Sequence, residues 1–68
     1  MKTNGTVKWF NDSKGYGFIA VEKLGDAFVH YSDIEQQIGR KTLKENQEVR
    51  CEVIHSIKGL KAVHVEAL

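Results

Sequence analysis

The sequence predicts an all-β fold in which five short strands close into a small barrel. Three observations carry this reading. Short runs of alternating apolar and polar residues recur along the 68-residue chain, each stopped by turn-forming residues. One connection, after the third run, is longer than the others. No segment repeats its apolar residues at the helical period. Five strands in a chain of this length, with a single long connection, suit a five-stranded barrel.

The first run, Gly5 to Phe10, is stopped by Asn11-Asp12-Ser13-Lys14-Gly15. The second, Tyr16 to Glu22, is stopped by Lys23-Leu24-Gly25-Asp26. The third spans Ala27 to Tyr31. Ser32-Asp33 then starts a turn or one helical turn reaching Ile34, which Asp33 is expected to cap. Residues 35–46 are polar and irregular, with Gly39 as a turn residue. The fourth run is Gln47 to Ile54, and Ser56-Ile57-Lys58-Gly59 reads as a hairpin connection. The fifth begins at Leu60 or Lys61 and ends at Val65. Gly25 and Gly59 are most simply turn residues. The chain has no proline, so every turn falls to Gly, Asn, Asp or Ser.

Residues 1–68 read as one domain. A domain this small buries only about 60% of the surface its unfolded chain exposes. The single cysteine, Cys51, forms no intrachain disulfide and suits a reducing compartment better than secretion. The N-terminus leads into no apolar run, and no stretch approaches the length of a membrane-spanning helix. A soluble cytoplasmic protein is the expectation.

Net charge is only +1, which argues against a polycation that coats duplex DNA. The charge is uneven, however. Residues 1–20 carry Lys2, Lys8 and Lys14 against Asp12, whereas residues 21–35 carry Glu22, Asp26, Asp33 and Glu35 against Lys23. An anion-binding surface must be local, drawing on the first segment, on Arg40 and Lys41, and on Lys58 and Lys61.

All six aromatic residues lie between positions 9 and 31: Trp9, Phe10, Tyr16, Phe18, Phe28 and Tyr31. Residues two apart on a strand share a face. Tyr16 and Phe18 therefore face away from Ile19 and Val21, and Phe28 and His30 away from Ala27 and Val29. Aliphatics suit a closed core, so Ile19, Val21 and Val29 form the inward set, and hairpin pairing gathers Tyr16, Phe18, Phe28 and His30 on one outer surface. The opposite assignment, with the rings inside, leaves Lys8, Lys14, Gly15 and Gly17 unexplained. Glycine in a strand often marks close approach by another backbone or a ligand. Aromatic faces interleaved with lysines match unpaired bases and their phosphates.

At these residues the sequence resembles the cold-shock domain family. Gly5-Thr6-Val7-Lys8-Trp9-Phe10-Asn11 matches its opening strand. Lys14-Gly15-Tyr16-Gly17-Phe18-Ile19 resembles its first ribonucleoprotein motif, with Tyr where Phe is usual. Ala27-Phe28-Val29-His30-Tyr31-Ser32 resembles its second, with Ala for Val and Tyr for Phe. The resemblance implies an antiparallel five-stranded Greek-key barrel, the OB-fold of cold-shock type. It also implies sequence-tolerant capture of single-stranded RNA and DNA, often pyrimidine-rich, an RNA-chaperone role, and regulation of transcription or translation. Carried over by position, the binding residues are Lys8, Trp9, Lys14, Tyr16, Phe18, Phe28, His30 and Tyr31, with contributions from Asp26 and Lys58. Strict alternation puts Trp9 on the face of the apolar Val7; the resemblance implies that it faces outward, which a bend or bulge in a barrel strand would allow.

The second half departs from the family pattern. Gly39-Arg40-Lys41-Thr42-Leu43 stands where Gly-Phe-Lys-Ser-Leu is common, so Arg40 replaces a platform ring. A guanidinium can stack on a base, which keeps Arg40 among the site residues beside the alternative of a solvated loop arginine. The segment before Gly39 is one residue longer than usual, and Ile38 is a second candidate for the vacant place. Cys51 stands where a core Phe is common, Leu60 where Pro is common, and His64 where Asn is common.

No enzyme is expected, because no nucleophile or base accompanies the carboxylates of Asp26, Asp33 and Glu35. Cys51, His55, His64 and His30 match no compact zinc motif, so neither metal nor cofactor is implied. Lys41 and Lys44 read as solvated loop charges. Single-stranded nucleic acid is the expected partner, with no membrane and no small-molecule substrate, and a monomer is the expected state. Two other readings remain: an SH3-like barrel docking a protein on its aromatic face, and a subunit whose platform is an oligomer interface.

Overall fold

A computed structural model describes residues 2–35 and 42–68. Strands β1 (Lys2–Asn11), β2 (Tyr16–Val21), β3 (Gly25–His30), β4 (Glu48–Ser56) and β5 (Gly59–Ala67) form a closed barrel in the order β1-β2-β3-β5-β4. The helical element among the described residues is a short 3-10 turn, Tyr31–Asp33, after β3.

Strand β1 serves two neighbours. Lys2 to Thr6 pair with Glu52 to Glu48 of β4, and Gly5 to Asn11 pair with Val21 to Tyr16 of β2. Gly5 and Thr6 belong to both ladders, so the strand turns its corner there. A Cβ at Gly5 would lie 2.6 Å from Ile19 Cγ2, which restricts this corner to glycine. The strand starts at Lys2 rather than Gly5 because backbone pairing with β4 continues past the end of the apolar alternation. For the same reason β5 runs to Ala67, opposite Val49.

The β1–β2 turn is closed by Gly15 N–H donating to Asn11 O (2.7 Å) and Lys14 N–H donating to Asn11 Oδ1 (2.9 Å). Gly15 sits at φ +77°, a conformation that favours glycine. The β4–β5 hairpin turns at Ile57-Lys58, with Ser56 paired to Gly59 and the Ser56 hydroxyl donating to Gly59 O at 2.8 Å. The hairpins are antiparallel as expected, but the closure between β3 and β5 is parallel, through Phe28 and Lys61.

Ile19, Val21 and Val29 point inward with Val7, Val49 and Val65, so the assignment of faces holds. Each such side chain contributes about 1.5–3 kcal/mol relative to remaining exposed. Cys51 is fully buried among them, and desolvation pushes its thiol pKa up. Opposite Cys51, β5 carries a bulge: Arg50 pairs with Glu66 and Glu52 with Val63, leaving His64 and Val65 against one residue. His64 adopts φ +51° at this bulge.

Asp33 does not cap the 3-10 turn. The cap is His30, whose extended backbone precedes the turn and whose ring accepts from Ser32 N–H. Asp33 is the turn's last residue, past the point from which a side chain reaches those first amides.

Candidate nucleic-acid interface

The outer face of β1, β2 and β3 carries the rings. Between Val7, opposite Ile19, and Trp9, opposite Phe18, β1 holds one extra residue, Lys8. This bulge breaks the alternation that would have sent Trp9 inward with Val7. Trp9 is 42% exposed and its ring centroid lies 5.5 Å from Phe18 and 5.9 Å from Tyr16.

Phe18 and Phe28 are direct cross-strand partners, with centroids 5.7 Å apart and rings nearly perpendicular. Tyr16 stacks on Phe28 along the diagonal, also at 5.7 Å. Trp9, Tyr16, Phe18 and Phe28 are therefore one continuous array, and Tyr16 is a full member of it. Edge-to-face and stacked neighbours hold such rings at fixed angles. Tyr16, Phe18 and Phe28 are each half-buried by their neighbours.

His30 and Tyr31 form a second pair with centroids 4.5 Å apart. His30 lies opposite Tyr16 in the β2–β3 register, which joins the pair to the array. Tyr31, 49% exposed, covers Gly15: a Cβ there would lie 2.6 Å from Tyr31 Cδ2. The backbone ties the same two residues, Tyr31 N–H donating to Gly15 O at 2.8 Å. Ser32 N–H donates to His30 Nδ1 at 3.3 Å, and Ser32 Oγ lies 2.9 Å from the same nitrogen. An accepting Nδ1 leaves the proton of the neutral ring on Nε2, where it is a donor.

The cations flank the rings. Lys8, displaced by the bulge, reaches across β2 to Asp26 on β3, Nζ to Oδ2 2.9 Å. Lys14 projects from the β1–β2 turn and Lys58 from the β4–β5 turn; neither makes an ion pair among the described residues. A groove of about 530 Å3 runs from Phe18 and Phe28, past Asp26 and Lys58, to Leu60 and Lys61 on β5. The sequence pattern does not predict Leu60 here, and it predicts Lys61 only as a local cation. Their membership follows from the parallel seam that sets Lys61 beside Phe28. No alternation rule announces such a seam.

Arg40, with Ile38 and Lys41, lies outside the described residues. The Thr42 hydroxyl donates to Asp12 of the β1–β2 turn. Among the described residues no group of three or more His, Cys, Asp or Glu side chains is placed to hold a metal. Cys51 is buried, whereas His55 is exposed near the end of β4, and His64 pairs with Glu35 at 3.2 Å. Among the described residues no helix is long and apolar enough to cross a membrane.

Residues 3–68 match the family model of the "'Cold-shock' DNA-binding domain". The chain belongs to the cold-shock domain family. It is 55% identical over 65 residues to "Probable cold shock protein A" of Mycobacterium tuberculosis, covering 94% of this chain and 96% of that protein. It is 49% identical over 67 residues to "Major cold shock protein CspA" of Pseudomonas aeruginosa, covering 98% and 96%. The "Cold shock-like protein" of Thermotoga maritima is 52% identical over 64 residues, with coverage of 94% and 96%. Among solved structures, drosophila Unr CSD456 superimposes with a TM-score of 0.79 at 23% identity, over 100% of this chain and 27% of that one. At that identity the likeness concerns the barrel alone. Membership in this family makes the cold-shock domain described here a nucleic-acid-binding module of a non-enzymatic family.

Proposed function

We propose that this cold-shock domain captures single-stranded RNA or DNA by stacking unpaired bases on Trp9, Phe18, Phe28, His30 and Tyr31, with Tyr16 bridging the array. The observation that carries the reading is the outward ring array itself, continuous across three strands while the aliphatic residues of the same strands fill the core. Each engaged ring contributes about 1–3 kcal/mol per base. Lys8, Lys14 and Lys58 attract the phosphates, and Asp26 accepts from a base edge when Lys8 turns to the strand. Arg40, outside the described residues, is a further planar cation of this reading, beside the alternative of a solvated loop arginine.

Binding unpaired bases draws RNA hairpins toward their open form by mass action, without a nucleotide cofactor. That is the physical content of an RNA-chaperone role in the cytoplasm, through which transcription or translation is regulated. Pyrimidine-rich strands are the preferred ligands that the family resemblance supports. The reading takes the protein to act as a monomer, since the platform is then occupied by nucleic acid rather than by a second copy.

The test is titration of Trp9 fluorescence with oligo-dT, oligo-U and a duplex of equal length. Single strands should quench Trp9 and bind far better than the duplex, because a duplex keeps its bases stacked on one another. With about three or four phosphates neutralised, log K against log salt should slope at roughly −2 to −3. Equal affinity for duplex and single strand overturns the reading; a flat salt response would favour a protein partner on the aromatic face.

A further inference from the structure

Lys61 lies beside Phe28 across the β3–β5 seam and lines the groove that continues the ring array. Its ammonium faces Asp33 of the 3-10 turn, Nζ to Oδ2 3.7 Å. The pair therefore joins β5, at the residue beside Phe28, to the 3-10 turn that begins with Tyr31. A strand whose bases stack on Phe28 and on Tyr31 carries a phosphate between those two ring positions.

The pair has unusual terms. Its length exceeds a hydrogen bond, so it is held by charge and leaves the ammonium's donors uncommitted to Asp33. Asp33 has the opposite situation. Its side chain is only 20% exposed, and Oδ2 is covered from solvent without a hydrogen-bond partner. Among the described residues Lys61 is the cation paired with that oxygen, and a carboxylate oxygen left covered and unpaired is unfavourable. Turning Lys61 toward a phosphate gains charge-assisted hydrogen bonds but strips Asp33 of its counter-charge.

We propose that Lys61 is a phosphate contact of the interface and that Asp33 is its internal competitor, a carboxylate holding the ammonium that the strand must take over. This rests on the single-strand reading above and adds to it a contact residue and a device that weakens it. Asp33 touches no ligand; it acts through Lys61. The exchange favours strands long enough to stack on both Phe28 and Tyr31, since they carry a phosphate between those rings.

The test measures binding of a seven-nucleotide oligo-dT by Trp9 fluorescence across a salt series, with thermal unfolding of each variant followed in parallel. Asp33→Asn should bind about two- to five-fold tighter at low salt, the range of an exposed ion pair. Its salt slope should steepen by up to about 0.7, the single-strand value for one phosphate. Lys61→Met should bind more weakly with a shallower slope, and Lys61→Arg should restore both. The deciding comparison is the double variant: with Lys61→Met in place, Asp33→Asn should change nothing. A gain from Asp33→Asn that persists in that background is a general charge effect and overturns the proposal, as does a Lys61→Met variant that binds like the parent. If Asp33→Asn fails to fold, the Lys61 variants and their slopes still decide whether the contact exists, and Asp33→Ser repeats the cycle. A parent that does not bind oligo-dT at all is instead a failure of the single-strand reading.

Discussion

Gly17 passes directly against the backbone of Trp9. A Cβ there would collide with the Trp9 carbonyl oxygen and would lie 2.7 Å from Phe10 Cα. Both atoms are backbone, so relief requires the strands to part. The close approach sits beside the bulge that turns Trp9 outward, and the absence of a side chain at one residue thus bears on the aim of another.

Gly17→Ala should therefore destabilise the protein by about 1–3 kcal/mol, the range for overpacking. The loss should appear as a lower urea midpoint with an unchanged slope. Trp9 emission of the folded variant should also shift, because the β1 bulge moves with the strand. A variant as stable as the parent would show that β1 and β2 can separate at little cost.

Phe18 and Phe28 are half-buried, packed on their neighbours rather than in the barrel interior. Phe18→Ala and Phe28→Ala should each weaken single-strand binding by about 1–3 kcal/mol. Their stability losses should fall below the roughly 3–5 kcal/mol of a fully buried Phe→Ala change. Paired titrations and thermal melts check both quantities; normal binding by the folded fraction of either variant would remove that ring from the site.

His64 holds φ +51° at the β5 bulge, a conformation in which Asn and His are enriched and β-branched residues are outliers. His64→Asn should leave the melting temperature close to that of the parent. His64→Val should cost about 1–2 kcal/mol more, the scale of left-handed backbone strain. The Glu35 pair is exposed and contributes little to either number.

Burial pushes the Cys51 thiol above its ordinary value of 9.0. The unfolded chain thus releases this proton at a lower pH than the folded chain does. Above the unfolded value the folded state binds more protons, so this group makes stability fall as pH rises, and it contributes nothing to pH dependence below. Denaturation series from neutral pH to above about pH 9 should show the parent losing stability relative to Cys51→Val. Thiol reagents should label Cys51 only as fast as the barrel opens.

The strands and faces were legible because the physics there is local. Ile19, Val21 and Val29 alternate with Tyr16, Phe18, Phe28 and His30, and a period of two fixes both sides of the sheet at once. Trp9 could be aimed only through the family resemblance, since a bulge leaves no mark on composition; register alone exposes it. Leu60 and Lys61 escaped for a different reason. Their place in the groove depends on β5 closing against β3 at a separation of many residues, and pairwise patterns within β5 carry no information about that neighbour. The residue type of Asp33 predicts a cap for the short turn, whereas the His30 ring, a less common capping group, fills the role.

The parallel seam has a dynamic consequence. Among the described residues β3 and β5 meet at one register pair, whereas the other neighbours share long ladders. Amides along the seam should thus exchange with solvent through openings of lower free energy than global unfolding. The same seam lines the groove, so the part of the barrel expected to open most readily is the part that a captured strand would span. Occupancy and local rigidity are then linked quantities, and amide protection at Phe28 and Lys61 becomes a binding signal independent of any fluorophore.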